Sequence, residues 1–444
     1  MSRSSGYLRH GSLFLALVMV TRDAAAQDTL RLSTLQGAAV QADPRGEQFQ
    51  LLRSATDERL GVLGSERLPQ ATLNGRVSHQ SDVTIPKTTV PGVIFPDLPK
   101  DRWESTVDVQ QLLYDGGNLS QRRRLEQARH DESAAGITAE LYGLRSEVNT
   151  AFFSAFLLQQ RSAEYDALIT DLDARLASAR ARVEAGTALS RDAAEIEAER
   201  VRADLDREQA RASRRASLAV LADLVARPID TNAVLLLPTE EPEKTHALSP
   251  AAMAELRQRP EFEQFRRSRQ RLQSEAALAA TENRPQLSAY GQAGVGLPGL
   301  DQLRTTSDAF WQAGLRVQWR PWTWRSAGRT AAALQLEQQS VERDEQAFAR
   351  SLARQVASTL EDIARLSATL SQDERVVSLR TDIERQARAQ YDEGSITTAD
   401  YVEARTDVLE ARLTLQRHRV ELAQARATYL TTLGLAPHQG VQQP

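Results

Sequence analysis

The chain has 444 residues, with 55 Lys+Arg against 59 Asp+Glu and no cysteine. The lack of cysteine excludes disulfides, thiolate metal sites, a cysteine nucleophile and a lipid-modified N-terminal cysteine. A formal charge of -4 argues against a general nucleic-acid binder, and with aromatics at only 5% the composition leans toward long helices rather than a compact α/β enzyme.

Residues 1–26 read as an export signal. Arg3, Arg9 and His10 precede the apolar run Leu13 to Val20, and Ala24-Ala25-Ala26 offers a small-residue cleavage site before Gln27. Beyond it, no run of 18 apolar residues is present, so no helix is expected to span a bilayer. Residues 27–66 are expected to form an N-terminal helix.

From residue 67 the chain is written twice. Leu68-Pro69-Gln70 with Gly75 returns as Arg284-Pro285-Gln286 with Gly291. Trp103 with Val107, Val109 and Gln110 returns as Trp311 with Leu315, Val317 and Gln318. Ala185-Gly186-Thr187 with Asp192 and Glu195 returns as Glu393-Gly394-Ser395 with Asp400 and Glu403. Three blocks in the same order define two structural repeats, 67–227 and 261–435. A linker over 228–260 joins them, and 436–444 is a tail.

The first repeat begins with two strands, and the second with a helix and then two strands. Alternation places Leu287, Ala289, Gly291, Ala293 and Val295 on one face, with Ser288, Tyr290 and Gln292 on the other. It does the same for Trp311, Ala313, Leu315, Val317 and Trp319 against Gln312, Arg316, Gln318 and Arg320, and for Trp103, Ser105, Val107 and Val109 against Glu104, Thr106, Asp108 and Gln110. The strand around Leu73, Gly75 and Val77 is the weakest. Such alternation marks any sheet with one wet face. A length of about ten residues, however, suits a tilted strand crossing a bilayer. All five tryptophans lie at these strands, and Trp103, Trp311, Trp319 and Trp322 are candidate membrane-interface aromatics.

Long helices follow. Leu119 to Ala185 contains no proline, and Thr330 to Glu393 contains neither proline nor glycine; at 1.5 Å per residue each would reach about 100 Å. Gly186 and Gly394 sit where a left-handed residue ends a helix, with Thr187 and Ser395 near the next N-cap, so each turn makes a helical hairpin. After Gly394 a coiled-coil seam can be counted: Val402, Leu409, Gln416, Ala423 and Leu430, interleaved with Thr406, Leu413, Val420 and Ala427.

Four strands cannot close a barrel, and a transmembrane sheet must close because lipid cannot satisfy an open edge. Two or three chains must therefore share one barrel, and the arithmetic does not choose between them.

Four segments resemble the TolC-like outer-membrane efflux proteins: Leu113-Tyr114-Asp115-Gly116-Gly117, Arg284-Pro285-Gln286-Leu287-Ser288, Tyr391-Asp392-Glu393-Gly394-Ser395 and the closing Tyr429 to Leu435. The resemblance spans essentially the whole mature chain. It implies a mixed, mainly α fold: a long α-helical coiled-coil barrel carrying four transmembrane β-strands per chain, with a twelve-stranded β-barrel shared by a homotrimer. It implies residence in the outer membrane of a Gram-negative bacterium, extending into the periplasm. The implied partners are a periplasmic adaptor, an inner-membrane transporter of RND or ABC type and outer-membrane lipid, with no nucleic acid. The implied function is a passive exit duct of a tripartite efflux pump or a type I secretion system.

The resemblance also carries site residues. Asp400 and Glu403 match acids of the family's tunnel mouth, where a trimer turns each into a ring of three carboxylates. Two solvated helix-surface acids are the plain alternative. Tyr391 and Asp192 match side chains that close the mouth, but Ile396 stands where the family has an arginine. Gly186, Thr187, Gly394 and Ser395 fall at turns that meet the adaptor. Pro321 to Gly328 replaces the compact Asp115-Gly116-Gly117, so a longer strand-to-helix junction is expected there.

The six histidines have no metal-ligand spacing, and no nucleophile elbow, phosphate loop or zinc signature is present. No cofactor and no enzymatic activity are expected. A periplasmic adaptor and a pore-less coiled-coil envelope protein stay as alternatives.

Overall fold

The structure is a computed structural model that describes residues 29–83, 98–238 and 254–435. The expected export signal, the linker residues 239–253 and the tail 436–444 lie outside these residues.

The expected single N-terminal helix is two helices, α1 (Leu32–Ala42) and α2 (Arg45–Ser65). Asp43-Pro44 divides them. Proline disfavours the helical region for the residue before it, and Asp43 is extended at ψ 127°. The Asp43 carboxylate then binds the Arg45 guanidinium, with Nε and Nη2 both at 2.8 Å, and fixes the bend. Before α1, the short strand β1 (Thr29–Leu30) pairs in parallel with β4 (Val234–Leu235), which places a piece of the linker beside the N-terminus.

The two halves share one element order. The first runs α2, β2 (Gln70–His79), β3 (Asp101–Tyr114), α3 (Asn118–Glu184) and α4 (Ser190–Leu224). The second runs α5 (Pro260–Ala279), β5 (Gln286–Leu297), β6 (Asp308–Gln318), α6 (Ser326–Asp392) and α7 (Thr398–Leu433). Both long helices have 67 residues, and their return helices have 35 and 36. A helix precedes the strands in both halves. The second strand-to-helix junction is longer, as expected: seven residues, 319–325, against three, 115–117.

The four long strands form one antiparallel sheet in the order β2-β3-β5-β6, with β2 and β6 at open edges. The register aligns the alternating faces. Leu73 sits opposite Val107, Val107 opposite Ala293, and Ala293 opposite Trp311. One face is therefore apolar from edge to edge, and it is bare: Trp311 is 75% exposed and Val317 70%. The other face is polar and cross-linked. Asn74 donates to Asp108, Gln312 donates to Gln292 at 2.6 Å, and the Arg316 guanidinium lies 5.1 Å from the Tyr290 ring centroid.

Below the sheet, helices pack in the same order as the strands above them, α2 on α3, α3 on α5 and α5 on α6. The core lies in this helical part, in three clusters. One gathers Leu35, Val148, Phe152 and Leu221 beside β1 and β4. A second joins Val356 and Leu366 of α6 to Leu422 and Tyr429 of α7. The third joins α3 and α4 to Leu409 of α7 through Leu168, Leu172 and Ile196. No helix among the described residues is long and apolar enough to cross a membrane.

The counted seam of α7 packs toward the first hairpin, where Leu409, Val420 and Ala423 are buried. A second seam runs one residue behind it: Tyr401, Val408, Leu415, Leu422 and Tyr429, all buried. A helix with two adjacent seven-residue stripes can serve two neighbours at once, and α7 packs on both α3 and α6.

Candidate functional site at the hairpin tips

Both tips are built alike. Gly186 (φ 73°) and Gly394 (φ 77°) follow the last helical turns in the left-handed conformation. Thr187 N–H donates to the Arg182 carbonyl at 2.8 Å and Gly186 N–H to the Val183 carbonyl at 3.0 Å; Ser395 and Gly394 repeat the pattern on Gln390 and Tyr391. These are Schellman motifs, which satisfy carbonyls that a helix end would leave bare. The hydroxyls add to them: Thr187 Oγ1 donates to the Arg182 carbonyl at 3.1 Å and Ser395 Oγ to Gln390 at 3.0 Å. Thr187 and Ser395 thus seal the outgoing helix. The N-caps of the return helices are Leu189 and Thr397.

Asp400 occupies the third position of α7. Its carboxylate accepts from the Thr397 backbone N–H at 2.9 Å and the Thr397 hydroxyl at 2.7 Å, while Thr397 Oγ1 receives the Asp400 N–H at 3.2 Å. This capping box holds the Asp400 carboxyl below the usual carboxylate range, the Thr397 side chain contributing most and its backbone next. Asp192 holds the matching position of α4 and accepts only from the Leu189 backbone N–H, at 3.2 Å. Glu403 is exposed, one turn beyond Asp400. Both acids are exposed in the single chain, and one of them is also a cap. The signal was Thr397-x-x-Asp400 ahead of an apolar run, which the reading of the sequence passed over.

The structure does not bring Tyr391 and Asp192 together within one chain. Tyr391 stacks on Tyr401 (centroids 5.2 Å, interplanar 17°). Arg182 lies 5.7 Å from the Tyr391 ring centroid and Arg175 5.3 Å from that of Tyr401. Both arginines approach Asp392, at 3.5 Å from Arg175 and 3.7 Å from Arg182. Tyr401 is fully buried, and burial first, then the Asp171 carboxylate, push its phenol up. Asp171 also binds Arg405 Nε at 3.1 Å. Arginines of α3 therefore reach the α6–α7 tip. The signal for this cluster was the second stripe of α7, which begins at Tyr401.

At the other end, Trp103, Trp311 and Trp319 lie on the apolar face or at its end, and Trp319 Nε1 donates to the Asn283 carbonyl at 3.0 Å. Trp322 stands in the longer junction, 83% exposed. Among the described residues no cluster of His, Asp and Glu could hold a metal ion.

No protein-family model matches the chain, and no curated protein matches it in sequence. Solved structures match over most of its length. The outer-membrane protein VceC of Vibrio cholerae is 15% identical, with 92% of this chain and 97% of that one covered and a TM-score of 0.65. The Campylobacter jejuni CmeC outer-membrane channel is 15% identical over 92% and 87%, with a TM-score of 0.67. The open state of the Neisseria gonorrhoeae MtrE outer-membrane channel is 17% identical over 93% and 91%, with a TM-score of 0.66. The fold is thus a duplicated sheet-and-hairpin channel fold. It is the TolC-like fold, mainly α with one four-stranded sheet per chain.

Proposed function

We propose that the chain is the outer-membrane channel-tunnel of a tripartite efflux pump or type I secretion system in a Gram-negative bacterium. It acts as a passive duct from a periplasmic adaptor and an RND or ABC transporter to the exterior. The observation that carries this reading is the sheet: four strands, open at both edges, with one face apolar and bare and the other polar and hydrogen-bonded. In lipid, only a closed barrel satisfies such a sheet. Three chains supply twelve strands, within the range of outer-membrane barrels. Support comes from the helices below, where the two ends of the layer, α2 and α6, carry exposed apolar residues such as Leu51, Val62 and Leu336 for a neighbouring copy to cover. The hairpins, about 100 Å long, reach toward the adaptor with Gly186, Thr187, Gly394 and Ser395 at their tips.

The test is assembly. Purified from outer membranes in mild detergent, the mature protein should run as a trimer whose gel mobility shifts on boiling. A stable monomer with its full β content would end this reading.

In the same reading Asp400 and Glu403 form two rings of carboxylates at the periplasmic mouth, with Asp192 and Tyr391 near them. Asp400→Asn with Glu403→Gln removes the charges while leaving Thr397 an acceptor. The double variant should lose cation preference and trivalent-cation block in single-channel recordings. Retention of both properties would leave these acids as caps and surface groups only.

A further inference from the structure

The geometry points to an anionic-phospholipid site at the longer strand-to-helix junction of the second repeat, a proposal that rests on the outer-membrane reading above. The junction follows β6 directly, so it begins where the apolar face ends, at Trp319 just beyond Val317. It exposes two tryptophans almost completely, Trp322 at 83% and Trp324 at 87%. Arg320, Arg325 and Arg329 flank them in sequence, all exposed. Among the described residues, none of the three has a carboxylate within ion-pairing distance, whereas many arginines along the helices do. Three unpaired guanidiniums and two bare indoles at the rim of an apolar band form the pattern that an interfacial anchor requires. The rings sit at headgroup depth and the guanidiniums bind phosphate in a fork.

The first repeat makes the contrast. Its junction, Asp115-Gly116-Gly117, is tied down internally. Asp115 accepts from the Gly117 and Leu119 N–H groups, at 2.9 and 2.5 Å, and Arg284 donates to the Gly116 carbonyl at 2.9 Å. Trp324 (φ 51°) and Arg325 (φ 62°) hold the same left-handed pair of conformations that Gly116 and Gly117 hold. Glycine takes this backbone without strain, whereas tryptophan and arginine do not. The second repeat therefore carries a tryptophan and an arginine at positions where the fold would sooner have glycine, and both side chains are exposed. The occupant is the phosphate headgroup of phospholipid in the periplasmic leaflet. A chain of net charge -4 gives that leaflet no general attraction, so the local excess of arginine supplies it.

The experiment is native mass spectrometry of the delipidated trimer titrated with phosphatidylglycerol or with phosphatidylcholine of the same acyl chains. Wild type should bind phosphatidylglycerol more tightly. Arg320→Gln/Arg325→Gln/Arg329→Gln should weaken that binding by roughly tenfold or more, each arginine near a lipid surface being worth about fivefold. Arg320→Lys/Arg325→Lys/Arg329→Lys should recover most of it. Trp322→Ala/Trp324→Ala should weaken both lipids alike. A control triple on the exposed surface of α6 well below the junction, Arg350→Gln/Arg354→Gln/Arg375→Gln, should change nothing. If the junction triple binds phosphatidylglycerol as wild type does, or the control triple loses as much, the site does not exist. Because residue 325 is left-handed, the double variant Arg320→Gln/Arg329→Gln keeps the test standing should the triple misassemble, and it should show an intermediate loss. All of these outcomes are read on a heat-modifiable trimer; absence of that trimer in the wild type would instead bring down the channel reading, and this site with it.

Discussion

The two repeats are the same machine built with different tolerances. Their long helices match residue for residue in length, and their turns use glycines at φ 73° and 77° with the same Schellman bonds. They differ where strand becomes helix and where the return helix begins. At the first junction, two glycines and Arg284 lock a three-residue corner; at the second, Trp324 and Arg325 take the same backbone at a cost. At the first tip the return helix starts on Leu189, which offers no side-chain cap; at the second, Thr397 and Asp400 complete a reciprocal pair. Duplication thus preserved what sets length and register, since an error there would misplace the sheet or the tips. The local stabilisers, each worth about 1 kcal/mol, were free to diverge.

The largest expected effect tests whether both repeats show lipid the same face. Val107 lies mid-strand, opposite Leu73 and Ala293, on the apolar face. Val107→Arg should cost about 2–4 kcal/mol per chain, as a lipid-facing arginine near the midplane does. Val317→Arg, near the strand end, should cost less. Gln312→Arg, on the polar face of the same strand, should assemble as wild type does. Yield of heat-modifiable trimer ranks the three, and equal yields would mean the faces are assigned wrongly.

The junctions come next. A methyl at Gly116 would strain the left-handed backbone and run into the Arg284 side chain. Gly116→Ala should therefore destabilise by about 1–3 kcal/mol. Trp324→Gly should relieve strain of about 1 kcal/mol at the matching position. Opposite signs in the thermal midpoint of the trimer are expected, and shifts of one sign would mean the two corners are not equivalent.

The tips should respond alike. Gly186→Ala and Gly394→Ala each leave open space around the new methyl and cost only the left-handed backbone, about 1–2 kcal/mol. Amide exchange in the last turns of α3 and α6 should speed up by similar factors. A marked difference would show that the Tyr391–Tyr401 stack, present only at the second tip, dominates that end.

Much of this was legible in the sequence. The repeated blocks predicted the duplication, alternation predicted the sheet faces, and the two glycines predicted both hairpins. Other features were hidden for physical reasons. The second stripe of α7 lies one residue behind the first, so counting one seam masks it. The tie between hairpins joins Arg175 and Arg182 to Asp392 across about 200 residues of chain, a distance over which periodicity says nothing. The bend at Asp43-Pro44 was readable from proline alone and was merged into one helix. Thr187 and Ser395 lie between two helix ends, and only the hydrogen bonds decide which end they serve.

The smallest expected effect concerns the start of the return helices. Thr397→Ala removes an acceptor for the Asp400 N–H and a donor to its carboxylate, and should destabilise the first turn of α7 by about 1 kcal/mol. In the first repeat Asp192 already accepts from the Leu189 N–H and needs only a hydroxyl in return. Leu189 is 65% exposed, so Leu189→Ser sacrifices little burial and should stabilise α4 by roughly 0.5–1 kcal/mol. The acid partner sets the pH window. The Asp400 carboxyl titrates lower in the fold than in an unfolded chain, so the cap's contribution is complete above the unfolded value and disappears as pH falls through the folded one. Exchange protection at residues 398–401 should therefore be constant at neutral pH and fall only in acid, and Thr397→Ala should flatten that fall. If Leu189→Ser leaves the protection of α4 unchanged while Thr397→Ala exposes α7, then the first tip is held from outside its own helix, and the two repeats differ in support as well as in sequence.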